Sequence, residues 1–157
     1  MWHSIVTMKD MAFGPIHALW IAPDGGELLL LAEEQTLYWN AWEDRALWSL
    51  RERRGGDGIS PDGRIYRDLS SGLFYPLFGS HGGRESRAHA TGGHIDVEDD
   101  QSGITVTDPQ GRRQSLSHEG CANDKDPDDW RIITFCEFGD HILIACPCFL
   151  TVYASLP

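Results

Sequence analysis

Short apolar stretches separated by turn residues run along most of the chain. Residues 103–107, Gly-Ile-Thr-Val-Thr, alternate apolar with polar side chains, a pattern typical of a strand with one wet face. The 17 Gly and 8 Pro divide the chain into pieces too short for several stable helices. The pattern predicts twelve strands, at residues 5–8, 18–22, 27–32, 36–40, 65–68, 73–77, 94–97, 103–107, 113–117, 131–137, 141–146 and 150–154.

One segment, residues 41–53, has two interpretations. Trp42, Ala46, Leu47 and Leu50 recur at helical spacing, with charged residues between them. Residues 46–50 also read as a strand, so helix and strand both stay open for this segment.

Turn signals fall between the predicted strands and recur at a fixed distance. The phrase Ile-Ala-Pro-Asp-Gly ends at Gly25, and Ile-Ser-Pro-Asp-Gly ends at Gly63, 38 residues later. An Asp-Gly pair tolerates the positive φ that a tight turn requires. A degenerate third copy places Asp100 another 38 residues on, and a fourth places Asp140 after 40 more.

This phrase, followed by an apolar strand and then by an aromatic-containing strand at 36–40, resembles the repeat of β-propellers of the WD40 or YVTN kind. The resemblance implies an all-β fold, a small propeller-like array of about four antiparallel β-meanders in a single domain over residues 1–157. Because the last repeat ends after a third strand, residues 2–8 would supply its missing outer strand. The alternative is a β-sandwich or half-barrel.

Charge and hydropathy exclude several classes of partner. The net charge is −11, divided as −5 over residues 1–50, +2 over 51–92 and −8 over 93–157. An acidic chain repels phosphate backbones, so we expect no nucleic-acid partner. No apolar run reaches the roughly 18 residues of a membrane helix. The start of the chain lacks the pattern of a signal peptide, so we expect no membrane partner and a cytoplasmic location.

Candidate chemistry is sparse. His118 with Cys121, and Cys146 with Cys148 near His141, offer zinc-type donors but lack the paired Cys-x-x-Cys spacing of structural zinc sites. Reduced, buried cysteines are the preferred interpretation, and we expect no metal or cofactor. The acidic stretch 123–129 lacks the Gly and Glu of a calcium loop. No nucleophile motif is present, so we expect no catalytic residues and no enzyme.

The tryptophans indicate a surface for a partner. Five of the six lie in the first third of the chain, beside acidic residues. Most should fill the core, whereas one or two exposed beside carboxylates would form a binding patch for a basic protein. The predicted partner-binding residues are Glu33, Glu34, Trp42, Glu43 and Asp44, with Asp124, Asp126, Asp128 and Asp129 as a second group.

These features predict a non-catalytic, acidic protein-binding module. Small acidic proteins of this kind look like bacterial immunity proteins, which neutralise a basic toxin through charge complementarity. One alternative is an oligomeric assembly protein in which the strand at residues 2–8 pairs between chains. Another is a ligand-binding or hydrolytic β domain with a pocket containing His81, His89 or His94.

Overall fold

The computed structural model describes residues 1–79, 82–98, 103–116 and 130–157, and its regular structure is almost entirely β. Every one of the twelve predicted strands overlaps an observed one, which confirms the all-β prediction. Within the described ranges, one 3₁₀ segment, Arg53–Gly58, follows the fifth strand. The strands are β1 Trp2–Lys9, β2 Ile16–Ile21, β3 Glu27–Ala32, β4 Thr36–Asn40, β5 Arg45–Leu50, β6 Ile65–Arg67, β7 Phe74–Pro76, β8 Phe78–Gly79, β9 His94–Val97, β10 Ile104–Thr107, β11 Arg113–Leu116, β12 Ile132–Phe135, β13 His141–Cys146 and β14 Phe149–Ser155.

Four antiparallel sheets contain these strands. We number them as repeats in chain order: repeat 1 is β2–β5, repeat 2 is β6–β7, repeat 3 is β9–β11, and repeat 4 is β12–β14 with β1. In each repeat consecutive strands pair antiparallel, as a meander in repeats 1, 3 and 4 and as a two-stranded hairpin in repeat 2. The predicted array of about four antiparallel meanders is therefore confirmed.

The ambiguous segment at 41–53 is a strand, and its helical alternative is wrong. Residues Arg45–Leu50 form β5, the outer strand of repeat 1, and pair with β4. Trp48 lies flat against Tyr38 of β4, with ring centroids 5.5 Å apart and planes 10° from parallel. Cross-strand packing of this kind decides in favour of a strand where the local pattern fits both structures.

The repeated turn has the same backbone hydrogen bonds in every repeat. The N–H of residues 22, 60, 98 and 136 donates to the carbonyl five positions later in each case, at 2.8–2.9 Å. These starting positions are spaced by 38 residues throughout, so the fourth turn begins two residues earlier than the predicted alignment on Asp140. In this register Phe138 takes the place of Asp24 and Asp62. Gly25, Gly63 and Gly139 occupy the positive-φ position that the turn requires.

Three apolar cores connect the sheets in the order repeat 2, repeat 1, repeat 4, repeat 3. Leu28 and Leu30 of repeat 1 pack with Leu143 and Leu150 of repeat 4. The opposite face of repeat 1 packs on the tyrosines of repeat 2, and the opposite face of repeat 4 packs on repeat 3. Repeats 1 and 4 therefore lie at the centre of this order, each covered on both faces.

The N-terminal strand completes repeat 4. β1 pairs antiparallel with β14, with Val6 opposite Val152 and Met8 opposite Leu150. This pairing confirms the predicted role of residues 2–8 as the outer strand of the last meander. Val6 is buried in the core between repeats 1 and 4, so β1 contributes apolar packing as well as hydrogen bonds.

The segment after repeat 2 covers the edges of the first strands of the other repeats. β8 pairs with the free side of β2. Further along, the carbonyl of Ser86 accepts from the N–H of Phe135 at 2.8 Å, and that of Arg87 accepts from Ile95 at 2.7 Å. Unpaired strand edges invite pairing with other chains, so this segment satisfies groups that would otherwise be exposed.

Candidate functional site: the groove between repeats 1 and 4

The turns of repeats 1 and 4 meet directly. The N–H of Phe138 donates to the carbonyl of Pro23 at 3.1 Å. Gly25 lies so close to His141 that a Cβ on Gly25 would sit 2.1 Å from the imidazole Cγ. Gly25 also has a positive φ of 72°. Glycine is therefore needed there both for its conformation and for the close approach.

A groove opens where these turns meet, and we call it the seam groove. Its volume is about 440 Å³. It contains two exposed aromatic rings, Trp42 at 53% and Phe138 at 61% exposure, and the Asp24 carboxylate, and Glu27 borders it. The residues lining it are Ala22, Pro23, Asp24, Gly26, Glu27, Asn40, Trp42 and Phe138.

Trp42 is held in place by the backbone before it and by the ring beneath it. The N–H of the buried Ala41 donates to the carbonyl of Gly26 at 2.9 Å, which fixes the start of the β4–β5 turn. The indole meets the imidazole of His141 almost at right angles, at 87° with centroids 5.3 Å apart. An exposed ring supported in this way is preorganised for contact with a partner.

The carboxylates of the groove have local hydrogen bonds. Asp24 accepts from the N–H of Gly26 at 2.9 Å, and Glu27 accepts a short bond from the Tyr38 hydroxyl. Burial, followed by this contact with Glu27, raises the pKa of Tyr38, so the phenol stays protonated. Negative charge beside two aromatic faces favours a cationic side chain with an apolar stem, such as Arg or Lys.

Glu43 and Asp44, predicted with Trp42, lie on the same β4–β5 turn. The N–H of Glu43 donates to the Asn40 side chain at 2.9 Å. Asp44 accepts from the Trp39 indole N–H at 3.1 Å. The structure therefore places Trp42, Glu43 and Asp44 on one turn, from which Trp42 lines the seam groove, while Glu43 forms an ion pair with Arg45.

Glu33 and Glu34 lie elsewhere, on the turn between β3 and β4, at the opposite end of these strands from Trp42. Glu33 binds the guanidinium groups of Arg53 and Arg54, and its carboxylate also lies 2.6 Å from His17 Nε2. Hydrogen bonds from Arg54, His17 and Arg53, in that order, lower the pKa of Glu33 to about 2. This carboxylate is thus partnered within the chain. The second predicted group, Asp124, Asp126, Asp128 and Asp129, lies outside the described residues.

A cluster of metal-ligand types lies under the seam groove. The Cys136 thiol donates to Asp140 Oδ1 at 3.4 Å, and His141 Nδ1 lies 3.0 Å from the same oxygen. Burial alone would raise the pKa of Asp140, but hydrogen bonds from His141 and Cys136 lower it overall. Burial raises the pKa of the Cys136 thiol. His141 Nε2 is buried and has no hydrogen-bond partner in the described part of the chain.

The other candidate ligands and histidines are dispersed. Cys146 is buried in the apolar core and Cys148 is exposed, and neither belongs to the Cys136 cluster. His89 Nε2 lies 2.9 Å from the Glu137 carbonyl, and His94 pairs with Asp96 at 3.3 Å. The remaining candidates, His81, His118 and Cys121, lie outside the described residues.

Several groove residues escaped the sequence prediction, namely Asp24, Glu27, Asn40 and Phe138. A signal for Phe138 was present: in the register of 38, an aromatic residue replaces the aspartate of the other turns. That Phe138 lines a groove depends on the packing of repeat 4 against repeat 1, which the sequence does not show.

No family model matches the chain, and no curated protein matches it. Among solved structures it is similar to the β-propeller domain of Cps50 (Swd1) from Myceliophteria thermophila, at 15% identity and a TM-score of 0.29, covering 93% of this chain and 52% of that one. It is also similar to a "putative TolB" from Agrobacterium tumefaciens, at 18% identity and a TM-score of 0.23, covering 90% and 60%.

The resemblance to β-propellers is therefore a weak one, and no specific protein is matched. The chain spans 52% and 60% of the two solved structures. The four-repeat architecture is established by the repeated hydrogen bonds and the packing order of the sheets. No helix of the described residues is long and apolar enough to cross a membrane.

Proposed function

We propose that this chain is a non-catalytic protein-binding module whose seam groove accepts a basic, partly apolar segment of another protein. The observation that carries the proposal is the pair of exposed rings, Trp42 and Phe138, in one groove with the Asp24 carboxylate. Aromatic side chains supply most of the binding energy in many interfaces, and surrounding charge selects the partner and accelerates association.

The finer proposal is an immunity or inhibitor protein that neutralises a basic toxin. It is supported by the net charge of −11 and by the acidity of the turn that carries Trp42. A protein of this charge attracts a basic partner over a distance of about one Debye length, roughly 8–10 Å at physiological salt. A cytoplasmic location stays a prediction of this proposal.

The experiment is a selection of random twelve-residue peptides displayed on phage, using the folded protein as bait and Trp42→Ala for counter-selection. We expect enriched peptides to carry net positive charge and at least one apolar side chain, and to lose binding as salt rises. Peptides that are neutral or acidic, or that bind Trp42→Ala equally well, would contradict the proposal.

A matched control comes from repeat 2, where Phe74 is 66% exposed and does not line the groove. Phe74→Ala removes an exposed ring of comparable accessibility. The selected peptides should bind this variant as they bind the unaltered protein. Loss of binding in Phe74→Ala alone would assign the interface to repeat 2.

A further inference from the structure

The turn of repeat 4 has metal-ligand side chains at three positions where its counterparts have other residues. Its backbone hydrogen bonds match those of the turns at 22–27 and 60–65. Yet Cys136, Asp140 and His141 stand where repeat 1 has Ala22, Gly26 and Glu27, and where repeat 2 has Ser60, Arg64 and Ile65. The turn therefore forms without a thiol at the first position, a carboxylate at the second or an imidazole at the third, so turn formation does not account for Cys136, Asp140 and His141.

The three side chains converge. Cys136 Sγ, an Asp140 carboxylate oxygen and a His141 ring nitrogen all lie within 4.8 Å of one another. Two of the separations are 3.4 Å, from Sγ to Oδ1, and 3.0 Å, from Nδ1 to Oδ1. Tetrahedral zinc, with bonds of about 2.3 Å to sulfur and 2.0 Å to nitrogen or oxygen, holds its ligand atoms about 3.5 Å and 3.3 Å apart. These two edges are thus within a few tenths of an ångström of those of a tetrahedral face, and the third, from Sγ to the imidazole nitrogen, is at most 4.8 Å.

We propose that Cys136, Asp140 and His141 form a binding site for a divalent transition-metal ion of the zinc type. The donors would be Cys136 Sγ, an oxygen of Asp140 and Nδ1 of His141. A thiolate with an imidazole selects zinc, cobalt and related ions, whereas magnesium and calcium prefer oxygen ligands alone. Three protein ligands leave the fourth position to water or to a donor from a partner.

Burial gives this site a closed side and an open side. Cys136 and His141 are buried, whereas the Asp140 side chain is 55% exposed. An ion can therefore enter past Asp140 and displace the thiol proton into solvent. The buried pair then shields the metal–sulfur bond from water.

The unpartnered nitrogen of His141 is a second, independent observation. Nδ1 lies 3.0 Å from Asp140 Oδ1, whereas Nε2 is buried with no hydrogen-bond partner in the described part of the chain. A buried polar atom of this kind destabilises the fold, because it has lost its hydrogen bonds to water and has formed none with the residues that the structure describes. Coordination through Nδ1 puts the ring proton on Nε2. That imidazole meets the Trp42 ring edge to face, and an aromatic ring is a weak acceptor for N–H.

The experiment titrates the reduced, chelator-treated full chain with Co²⁺, and then displaces Co²⁺ with Zn²⁺ in the presence of excess Mg²⁺. We expect one ion per chain, tetrahedral Co²⁺ absorption with a thiolate-to-cobalt charge-transfer band, and displacement by Zn²⁺ despite the Mg²⁺. Absence of stoichiometric binding, or displacement by Mg²⁺, would overturn the proposal.

Variants assign the ligands. Cys136→Ser should abolish the charge-transfer band, and serine is tolerated because Ser60 holds the equivalent position in repeat 2. Cys148→Ser, at an exposed cysteine outside the cluster, should retain the band. Asp140→Asn, at an exposed side chain that does not support the core, should weaken affinity more than about tenfold. A band that survives Cys136→Ser, or that disappears in Cys148→Ser, would contradict the assignment.

Discussion

Repeats 2 and 4 contain turns with the same backbone hydrogen bonds, but the strands that flank these turns differ in length and burial. In repeat 4, the strands β12 and β13 are buried at every residue, and β14 at all but its last. In repeat 2, the three-residue strands β6 and β7 each bury only their central tyrosine. Repeat 4 packs on a neighbour at each face, whereas repeat 2 packs on repeat 1 alone among the described residues.

The turns themselves also use their polar side chains differently. In repeat 2, Asp62 accepts from the Ser60 hydroxyl at 2.6 Å and from the Arg64 N–H at 3.1 Å. These bonds, the one from Ser60 first, lower the pKa of Asp62 and fasten the turn locally. In repeat 4 the carboxylate, Asp140, faces a thiol and an imidazole instead. Because the backbone hydrogen bonds are the same in both turns, the turn side chains can differ between repeats. In repeat 4 these side chains include a thiol and an imidazole that are buried.

We expect the largest loss of stability from a substitution in β1, the N-terminal strand that completes repeat 4. Val6→Asp places an unpaired carboxylate in the core between repeats 1 and 4. We expect a loss of about 3–5 kcal/mol in the free energy of unfolding, typical of an uncompensated buried charge. Urea denaturation measures the change.

The control for this substitution is His3→Asp, which adds the same group at an exposed position of the same strand. It should change stability by less than about 0.5 kcal/mol. Equal effects of the two substitutions would mean that β1 does not pack against repeats 1 and 4 as described.

We expect a smaller loss of stability from a substitution that disturbs the contact between the turns of repeats 1 and 4. Gly25→Ala combines a left-handed backbone, which costs about 1–2 kcal/mol for a non-glycine residue, with a clash against His141 worth about 1–3 kcal/mol. The expected total loss is about 2–5 kcal/mol. Gly111→Ala has a similar φ of 83° but nothing within 4 Å, so it should cost only the backbone part. Identical losses would show that His141 is not in contact with Gly25.

The smallest effect concerns the charged cluster at the other end of repeat 1. The folded pKa of Glu33 is about 2, below the ordinary value of 4.5. A lowered folded pKa adds stability that is fully present above pH 4.5 and is lost as the pH falls from 4.5 to 2.

Thermal melting should therefore show Glu33→Gln to be less stable than the unaltered protein near neutral pH. The gap in melting temperature should be small, because the partner arginines are exposed to solvent and salt, and should close towards pH 2. The neighbouring Glu34→Gln is the control. A gap that widens on acidification would refute the ion pairs.

Local features were predictable from the sequence, and tertiary neighbours were not. The Asp-Gly pairs and the continuous apolar run of β13 identify turns and doubly covered strands because each depends on residues close in the chain. β5 was ambiguous because, as an exposed outer strand, it has no strict alternation. β8 was missed because it has only two residues.

The candidate site was predicted in part for the same reason. Trp42, Glu43 and Asp44 are adjacent in sequence and lie on one turn, so the sequence alone was enough to group them, and their role in binding stays a prediction. Glu33 is also near in sequence, but β4 carries the chain to the other end of the sheet before Trp42. Phe138 and His141 come from the far end of the chain, and only the packing of repeat 4 on repeat 1 brings them to Trp42.

The binding role of the seam groove is tested most directly by the affinity of one selected basic peptide for three variants, measured by calorimetry. Trp42→Ala and Phe138→Ala should each raise Kd at least about tenfold, or 1.4 kcal/mol, whereas Phe74→Ala should leave Kd unchanged. Unchanged affinity in both groove variants, or a loss confined to Phe74→Ala, would contradict the account.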